Sequence, residues 1–343
     1  MKTIFDINLQ LFAEMNTNVL HTGTYGVKTG DNAYAVNPAL SPENKTFYDK
    51  SLIEEAKPNL IHDQFAQKRP IPKNGGKKIE FRKFASLPKA LTPLTEGVTP
   101  DGKNLEVTAI EAEVAQYGDY VVYSDMLDLT AIDPVVTEAV KVIGNQAGLT
   151  LDTITRDILQ TGTNVYYAPK GDGTEVTKRS ELDDTCVLTS KLVKEIATRL
   201  KRVNAPKIDG SYVAIIHPDV ALSLQNDDEW IQAHRYSDAT AIYEGELGKM
   251  GGVRFIESSE AKIYEGGVYG CIFLGANAYG VTEIEGGGLR TIIKQLGSSG
   301  VADALDQRAS IGWKAVKTAE ILIEAYIIRL ECKSELSGTA AAN

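Results

Sequence analysis

Two stretches with strand spacing, joined by a proline-bearing connection, constrain the fold more than any other feature of the sequence. In "KKIEFRKF" (77–84), Ile79 and Phe81 alternate with charged residues, and "LEVTAIEAEVAQYGDYVVYSD" (105–125) also alternates. A period of two is typical of β-strands. The connection, "SLPKALTPLTEGVTPDGKN", contains three prolines and two glycines. We predict an extended β-hairpin, and compact domains seldom keep so long a connection unless it has a function.

A long amphipathic helix is predicted after the hairpin. Asp133 is a suitable N-cap, and Pro134 is a suitable first helical residue. The apolar residues that follow recur at steps of three and four until the pattern stops near Gly162: Val136, Val140, Ile143, Ala147, Leu151, Ile154 and Ile158. At ~1.5 Å per residue, such a helix is about 40 Å long, which is well above the usual length.

The rest of the chain predicts a second helix and a series of strands. "SKLVKEIATRLKRVN" (190–204) has an apolar helical face, and "SYVAIIHPDVALSL" (211–224) predicts a buried strand, a turn and a short helix. The strand-like stretches are "VRFIESS", "VYGCIFLG", "AYGVTEI", "LRTIIKQL", "RASIGWKAV" and "AEILIEAYIIRLEC". One long helix, combined with strands that pair across distant sequence, gives an α+β fold.

The glycine-rich stretch "GELGKMGGVRFIESS" (245–259) raises the question of a phosphate-binding loop. Such a loop follows a strand and opens a helix, so that backbone N–H groups face the phosphates. Here the glycines precede a strand-like run, and neither GxxxxGK[ST] nor GxGxxG is present. We therefore interpret the glycines as a tight turn with positive φ that enters a strand at a hairpin or bulge.

Composition argues against several classes of protein. The chain has 343 residues and a formal charge of −10, whereas a free-standing nucleic-acid binder needs a basic surface. Its three cysteines are far apart and predict no disulfide framework, which favours a reducing compartment. Asp6, Asn8 and Gln10 interrupt the apolar N-terminus, so we predict no signal peptide, and no run has the length of a membrane span.

No group of residues predicts catalysis, a cofactor or a metal. None of the four histidines has HExxH or another metal-ligand spacing. His217-Pro218-Asp219 invites comparison with a catalytic pair, but at a strand-to-helix turn it is more typical of a helix cap. We expect a protein that is not an enzyme. An α+β enzyme or ligand-binding protein with an unrecognised site stays open as the alternative.

The order of these elements resembles the major capsid protein of tailed bacteriophages, with its Hong Kong 97-type fold, and more narrowly the N-four-type family of such proteins. The stretches that carry the resemblance span roughly residues 45–330: "FYDKSLIEEAKP", "QKRPIPKNGGKKIEFRKF", "PLTEGVTPDGKNLEVTAIEAEVAQYGDYVVYSD", "IIHPDVALSL", "GELGKMGGVRFIESS" and "IGWKAV". No single motif is specific, whereas their order and spacing are.

The resemblance implies a role for each segment. It implies an N-terminal arm (1–45), a helical segment (46–67), an extended loop formed by the β-hairpin (68–125), a peripheral domain with the spine helix (126–187), an axial domain (188–290), and the last peripheral strands with the C-terminus (291–343). It also implies pentamers and hexamers that assemble in the host cytoplasm into an icosahedral head around double-stranded DNA. The implied partners are further copies of the chain, a separate scaffolding protein, a portal and a decoration protein. No association with a membrane is implied.

The two sides of the hairpin carry opposite charges. Residues 68–83 contain seven Lys/Arg and one acidic residue, whereas residues 96–133 contain nine Asp/Glu and one lysine. One hypothesis is that these surfaces meet between subunits and set register and encounter rate. The alternative is pairing within one hairpin or full solvation, because exposed ion pairs contribute only about 0–1 kcal/mol. The candidate subunit-interface residues are Lys73, Lys77, Lys78, Arg82, Lys83, Glu96, Asp101, Glu106, Glu111 and Glu113.

Another virion component, such as a portal or tail protein, is a further alternative. It would form one ring or a tube instead of a closed shell.

Overall fold

The chain forms two compact units, each built from segments that are distant in the sequence. Unit 1 comprises Met1–Lys57, Tyr117–Ala147 and Leu289–Ala315, and unit 2 comprises Pro58–Gln116, Gly148–Gly288 and Val316–Asn343. The computed structural model describes residues 19–20, 27–29, 33–35, 60–84, 87–94, 96–97, 99, 101–130, 135–235, 247–298, 303 and 305–343. Most of the predicted helical segment 46–67 and of the predicted arm lies outside these residues.

The described residues form helices and strands in a mixed order, as an α+β fold requires. The helices are α1 (Asp125–Thr130), α2 (Val135–Leu159), α3 (Ser190–Arg202), α4 (Pro218–Gln225) and α5 (Asp228–Arg235). The strands are β1 (Val19–Leu20), β2 (Val27–Thr29), β3 (Ala33–Ala35), β4 (Gln67–Lys68), β5 (Lys78–Phe84), β6 (Val107–Glu113), β7 (Ala115–Ser124), β8 (Val165–Tyr167), β9 (Tyr212–Ile216), β10 (Lys249–Met250), β11 (Val253–Glu257), β12 (Ile263–Tyr264), β13 (Val268–Leu274), β14 (Tyr279–Thr282), β15 (Arg290–Lys294), β16 (Arg308–Ile321) and β17 (Ile327–Cys332).

The long helix α2 confirms the main periodicity prediction. It has 25 residues, which corresponds to about 37 Å at the rise of an α-helix. Val140, Ile143, Ala147 and Leu151 from the predicted apolar stripe are buried. The predicted start signals at 133–134 lie outside the described residues, and the helix contributes residues to both units.

A mixed sheet and its helices form the core of unit 2. The strand order is β10-β11-β9-β13-β17-β8, and β12 pairs with β13. Strands β9 and β13 bury every residue along their length, which explains why their sequences read as continuous apolar runs. The predicted apolar face of α3, including Ile196 and Leu200, packs into the same cluster. The three cysteines are free and buried, and they belong to this cluster too.

The glycine-rich stretch forms a β-hairpin, as predicted. Strands β10 and β11 pair antiparallel, with Met250 opposite Val253. The two residues between them, Gly251 and Gly252, have φ angles of 60° and 86°. A two-residue loop with both central residues at positive φ matches the twist of the flanking strands and requires glycine-like residues. The turn prediction is confirmed.

Strand β16 is longer than its sequence pattern indicates. The boundary between the predicted strands "RASIGWKAV" and "AEILIEAYIIRLEC" lies elsewhere in the structure. Strand β16 continues through Ile321, and a 3₁₀ turn at Glu324–Tyr326 separates it from β17. In unit 1 it pairs with β15, and β7 lies on its other side and pairs in parallel with β1. In unit 2 its last residues pair with β14, which is followed by β4.

Two glycines allow β7 and β16 to approach closely in unit 1. A Cβ atom added at Gly312 would lie 2.7 Å from the carbonyl oxygen of Asp119 and 2.6 Å from the Cβ of Tyr120. A Cβ atom at Gly118 would lie 2.6 Å from the carbonyl oxygen of Trp313. Any larger side chain at these positions therefore forces the two strands apart.

We predict that Gly312→Ala lowers the free energy of unfolding by about 1–3 kcal/mol, because the added methyl group forces a shift of the neighbouring strand. Chemical denaturation of the purified protein measures this change. The matched control is Gly102→Ala, because nothing lies within 4 Å of a Cβ atom added at Gly102. Equal stability of the two variants would show that the strands relax without cost.

Candidate functional site

The predicted hairpin is present, but it is shorter on its acidic side than the sequence indicates. Strands β5 and β6 pair from Lys78 opposite Glu113 to Phe84 opposite Val107. The predicted single strand 105–125 is two strands, because β6 ends at Glu113 and β7 pairs with β1 and β16 instead. Val114 lies at the break, where its backbone N–H donates to the carbonyl of Lys77 at 2.9 Å.

The base of the hairpin packs against the body of unit 2. Phe81 is buried, and its ring lies 3.0 Å from the position that a Cβ atom of Gly280 would occupy. The absence of a side chain at Gly280 therefore makes room for the ring on β14. On the strand opposite Phe81, Ala112 is buried as well. The inner ends of β5 and β6 are thus held by apolar contacts.

A buried polar cluster fixes the segment just before the hairpin. His62 donates its backbone N–H to Asp152 on α2 at 2.7 Å, and its ring Nδ1 lies 2.7 Å from the second carboxylate oxygen. The hydroxyl of Tyr279 donates to the carbonyl of His62. His62 and Asp152 are both almost fully buried. A buried carboxylate is tolerated only where such partners satisfy it.

The next residue, Asp63, belongs to the same cluster. Its carboxylate lies 2.5 Å from the ammonium group of Lys317 on β16 and accepts a 2.6 Å hydrogen bond from Thr155. Lys317 also donates to the carbonyl of Leu151 at 2.8 Å. Burial lowers the pKa of Lys317, and the charge of Asp63 partly opposes this effect. The side chains that contact each other across the cluster are 90 or more residues apart, so the sequence carries no spacing signal for it.

We predict that Lys317→Met destabilises the protein by about 3–5 kcal/mol, because it leaves a buried carboxylate without its cation. The control Lys78→Met removes an ion pair with Glu111 whose side chains are 62% and 66% exposed, and it is expected to cost about 0–1 kcal/mol. Denaturant unfolding of both variants provides the comparison. Similar losses in the two variants would mean that the cluster does not anchor this segment.

Beyond its base, the hairpin exposes large apolar side chains. Their exposed fractions range from 49% at Val107 to 82% at Leu91, and the set is Phe84, Leu87, Leu91, Leu94, Leu105 and Val107. We call these six residues the hairpin apolar surface. The sequence pattern of this stretch predicted a proline-bearing connection and did not indicate the exposed apolar side chains. The signal was the recurrence of leucine between prolines where no strand or helix could bury it.

The charged candidates lie mainly on the outside of the hairpin. Lys78 and Glu111 form an ion pair of 3.3 Å within the chain, and Arg82 pairs with Glu80 at 3.0 Å. The other seven candidates are all exposed: Lys73, Lys77, Lys83, Glu96, Asp101, Glu106 and Glu113. Pairing within one hairpin is therefore observed for Lys78 and Arg82, and contact between subunits stays a prediction for the set.

Unit 1 exposes a second group of large apolar side chains. Their exposed fractions range from 40% at Ile292 to 77% at Leu129 and Leu305, and the set is Tyr120, Met126, Leu129, Val142, Ile292 and Leu305. We call this group the unit 1 apolar surface. Large exposed apolar patches on a soluble chain mark sites of protein–protein contact. The chain thus carries two groups of exposed large apolar side chains, one on the hairpin and one in unit 1.

Comparison with protein families identifies the chain. Residues 107–319, more than half of the sequence, match the family model described as phage capsid protein. The chain belongs to the phage capsid protein family. The resemblance to major capsid proteins of tailed bacteriophages is thereby confirmed, whereas the narrower N-four-type assignment stays a prediction. No curated protein sequence matches this capsid protein.

Solved structures show the fold of this capsid protein. It is similar to the capsid of the cyanophage P-SCSP1u, with a TM-score of 0.62, 14% identity, and coverage of 90% of this chain and 93% of that chain. The capsid of Ralstonia phage GP4 gives a TM-score of 0.61, 13% identity, and coverage of 91% and 97%. The cyanophage Pam1 capsid gives a TM-score of 0.61 and 13% identity, with coverage of 89% of this chain and 99% of that chain. The predicted Hong Kong 97-type fold is confirmed.

The His217-Pro218-Asp219 stretch of the capsid protein caps a helix, as predicted. His217 is the N-cap of α4, and its Nδ1 accepts a hydrogen bond from the backbone N–H of Asp219 at 3.2 Å. Pro218 occupies the first helical position. Burial lowers the pKa of His217, although the charges of Asp219 and Glu260 act in the opposite direction. The unprotonated Nδ1 is what the cap requires.

We predict that this cap makes the capsid protein less stable in mild acid. Because the folded-state pKa of His217 is lowered, the unfolded chain takes up the proton first, so this group destabilises the fold as pH falls through about 6.5. His217→Asn keeps an amide oxygen as cap but does not titrate. Unfolding temperatures measured from pH 7.5 to 5.0 are expected to fall more for the original protein than for the variant. Parallel curves would remove His217 as the cause.

The described part of the chain contains no group of three or more His, Cys, Asp or Glu side chains arranged to hold a metal ion. Among the helices in those residues, none combines the length and the apolar character needed to cross a membrane.

Proposed function

We propose that this capsid protein is the major structural subunit of an icosahedral phage head, and that it assembles through pentamers and hexamers around double-stranded DNA. The observation that carries the proposal is the presence of two different exposed apolar surfaces, one on the hairpin and one on unit 1. Family membership supports a structural, non-enzymatic role in the virion.

The two apolar surfaces explain how identical copies would associate. The hairpin apolar surface of one copy docks on the unit 1 apolar surface of the next, which makes a head-to-tail contact. Contacts of this type close into rings when the rotation between neighbours permits it. Each leucine-sized side chain that becomes fully buried contributes roughly 1.5–3 kcal/mol, before the costs of association are subtracted.

The charged side chains of the hairpin would act earlier in the same contact. Lys73, Lys77 and Lys83 on one side, and Glu96, Asp101 and Glu106 on the other, are exposed. Opposite charges at an interface rim mainly raise the rate of encounter and select the register. Their effect falls as ionic strength rises. We therefore assign affinity to the apolar side chains and orientation to the charges.

The remaining assignments follow from membership of the capsid family. Residues 188–290 form the axial domain at the centre of each ring, and the segment with α2 forms the peripheral domain. The proposed partners are a scaffolding protein, a portal and a decoration protein. Assembly takes place in the cytoplasm of the host.

We predict that the double variant Leu91→Ser/Leu94→Ser loses assembly while the subunit stays folded, because both side chains are largely exposed in the single chain. Negative-stain electron microscopy and sedimentation velocity measure the outcome, with purified protein alone and with its scaffold. The control Lys89→Ser/Lys103→Ser changes two exposed polar positions in the same connection. We expect closed shells or capsomers from the original protein and the control.

Several results would contradict the proposal. Small discrete oligomers from the original protein under every condition would point to a different kind of protein, and a single ring or tube would point to a portal or tail component. Normal shells from the leucine variant would move the contact away from the hairpin apolar surface. Assembly whose rate does not change with added salt would remove the role assigned to the charges.

A further inference from the structure

The outward face of α3 is strongly basic. Residues 190–207 contain six Lys/Arg and a single acidic residue, Glu195, in a chain whose net charge is −10. Lys191, Lys194, Arg199 and Arg202 share one side of the helix and are exposed, and the half-buried Glu195 lies among them. Together they extend about 16 Å along the helix axis. We call these four residues the basic face.

Helix stability does not account for the basic face. Cations near a helix C-terminus are stabilising, which explains Arg199 and Arg202, but a cation in the first turn is not. Lys191 occupies that first turn, which contains no acidic residue. Lys194 pairs with Glu229 at 2.5 Å, and Arg199 lies 4.2 Å above the ring of Tyr166. Within the described residues Lys191 and Arg202 have no ion-pair partner, so their charges remain available to a ligand.

The chemistry of the face selects the kind of ligand. Every exposed residue from Lys191 to Arg202 is polar or charged. Protein interfaces depend on buried aromatic or aliphatic anchors, and this face offers none. Interfaces with nucleic acid are polar and rich in positive charge, and most of their hydrogen bonds go to phosphates. A row of cations on one helix therefore favours an extended polyanion over an acidic protein surface.

We propose that the basic face of α3 binds the phosphate backbone of double-stranded DNA without sequence preference. This inference rests on the proposed function, which brings the subunit and the DNA together. The contact is weak and salt-dependent, because few cations take part and each releases counterions when it meets a phosphate. A local contact of this kind holds DNA next to the subunit without hindering its later exit.

The test compares duplex binding by the full-length protein and by Lys191→Gln/Arg202→Gln. Fluorescence anisotropy with a labelled mixed-sequence duplex of about 30 base pairs is measured across about 25–200 mM KCl. We expect the variant to bind at least about tenfold more weakly at low salt, and the slope of log affinity against log salt to fall by about two. The control Lys178→Gln/Lys314→Gln removes two exposed lysines elsewhere and is expected to keep the original slope.

An unchanged slope in the variant, or an equal loss in the control, would overturn the inference. Polyglutamate serves as a second probe. If the variant lost binding to polyglutamate but kept duplex binding, the inference would also fail, because the partner would then be an acidic polypeptide. Unfolding temperature separates misfolding from loss of contact, since the substituted side chains are exposed and only the small stabilisation by Arg202 at the helix C-terminus is lost. Electron microscopy of the same samples reports shell formation independently. Duplex binding can be measured on unassembled subunits too, so failure of assembly and failure of DNA binding remain distinguishable.

Discussion

A buried ammonium group, that of Lys317, connects three segments that are far apart in the sequence. It contacts the carboxylate of Asp63 and the carbonyl of Leu151, so it links β16 and α2 to the residues that precede the hairpin. Burying such a pair costs desolvation energy, and its net contribution to stability is small. What the pair supplies is a unique arrangement, because only one register of β16 places Lys317 beside Asp63. Next to it, His62 and Asp152 fix the same segment by two further contacts.

This anchoring allows the hairpin to extend from a fixed origin. Phe81 packs on Gly280 at the base, and the apolar residues beyond Phe84 have no core of their own. In an isolated chain, such residues are an aggregation hazard, whereas in an assembly they are an interface. The fold thus combines a base held by buried contacts with an outer part whose large apolar side chains are exposed.

Local signals in the sequence predicted local structure well. The apolar stripe of α2, the cap at His217 and the turn at Gly251 each depend on residues within a few positions of one another. The end of β6 at Glu113 was not predictable in this way, because the alternation continues through Val114 while the pairing partner changes. The contact of His62 with Asp152 depends on the tertiary fold, and nothing in their ninety-residue separation indicates it. The pairing of Lys78 with Glu111 illustrates the same limit, since charge counts alone do not tell whether partners lie in one chain or two.

The prolines of the hairpin connection have a consequence for the entropy of association. Pro88 and Pro93 alternate with the exposed leucines at positions 87, 91 and 94. Each proline fixes its own φ and restricts the residue before it, so residues 87–94 sample fewer conformations than a segment without proline would. A segment that is already restricted loses less conformational freedom when it docks, and more of its contact energy is retained as affinity. In the proposed contact between copies, restriction of this segment before docking would therefore raise its affinity.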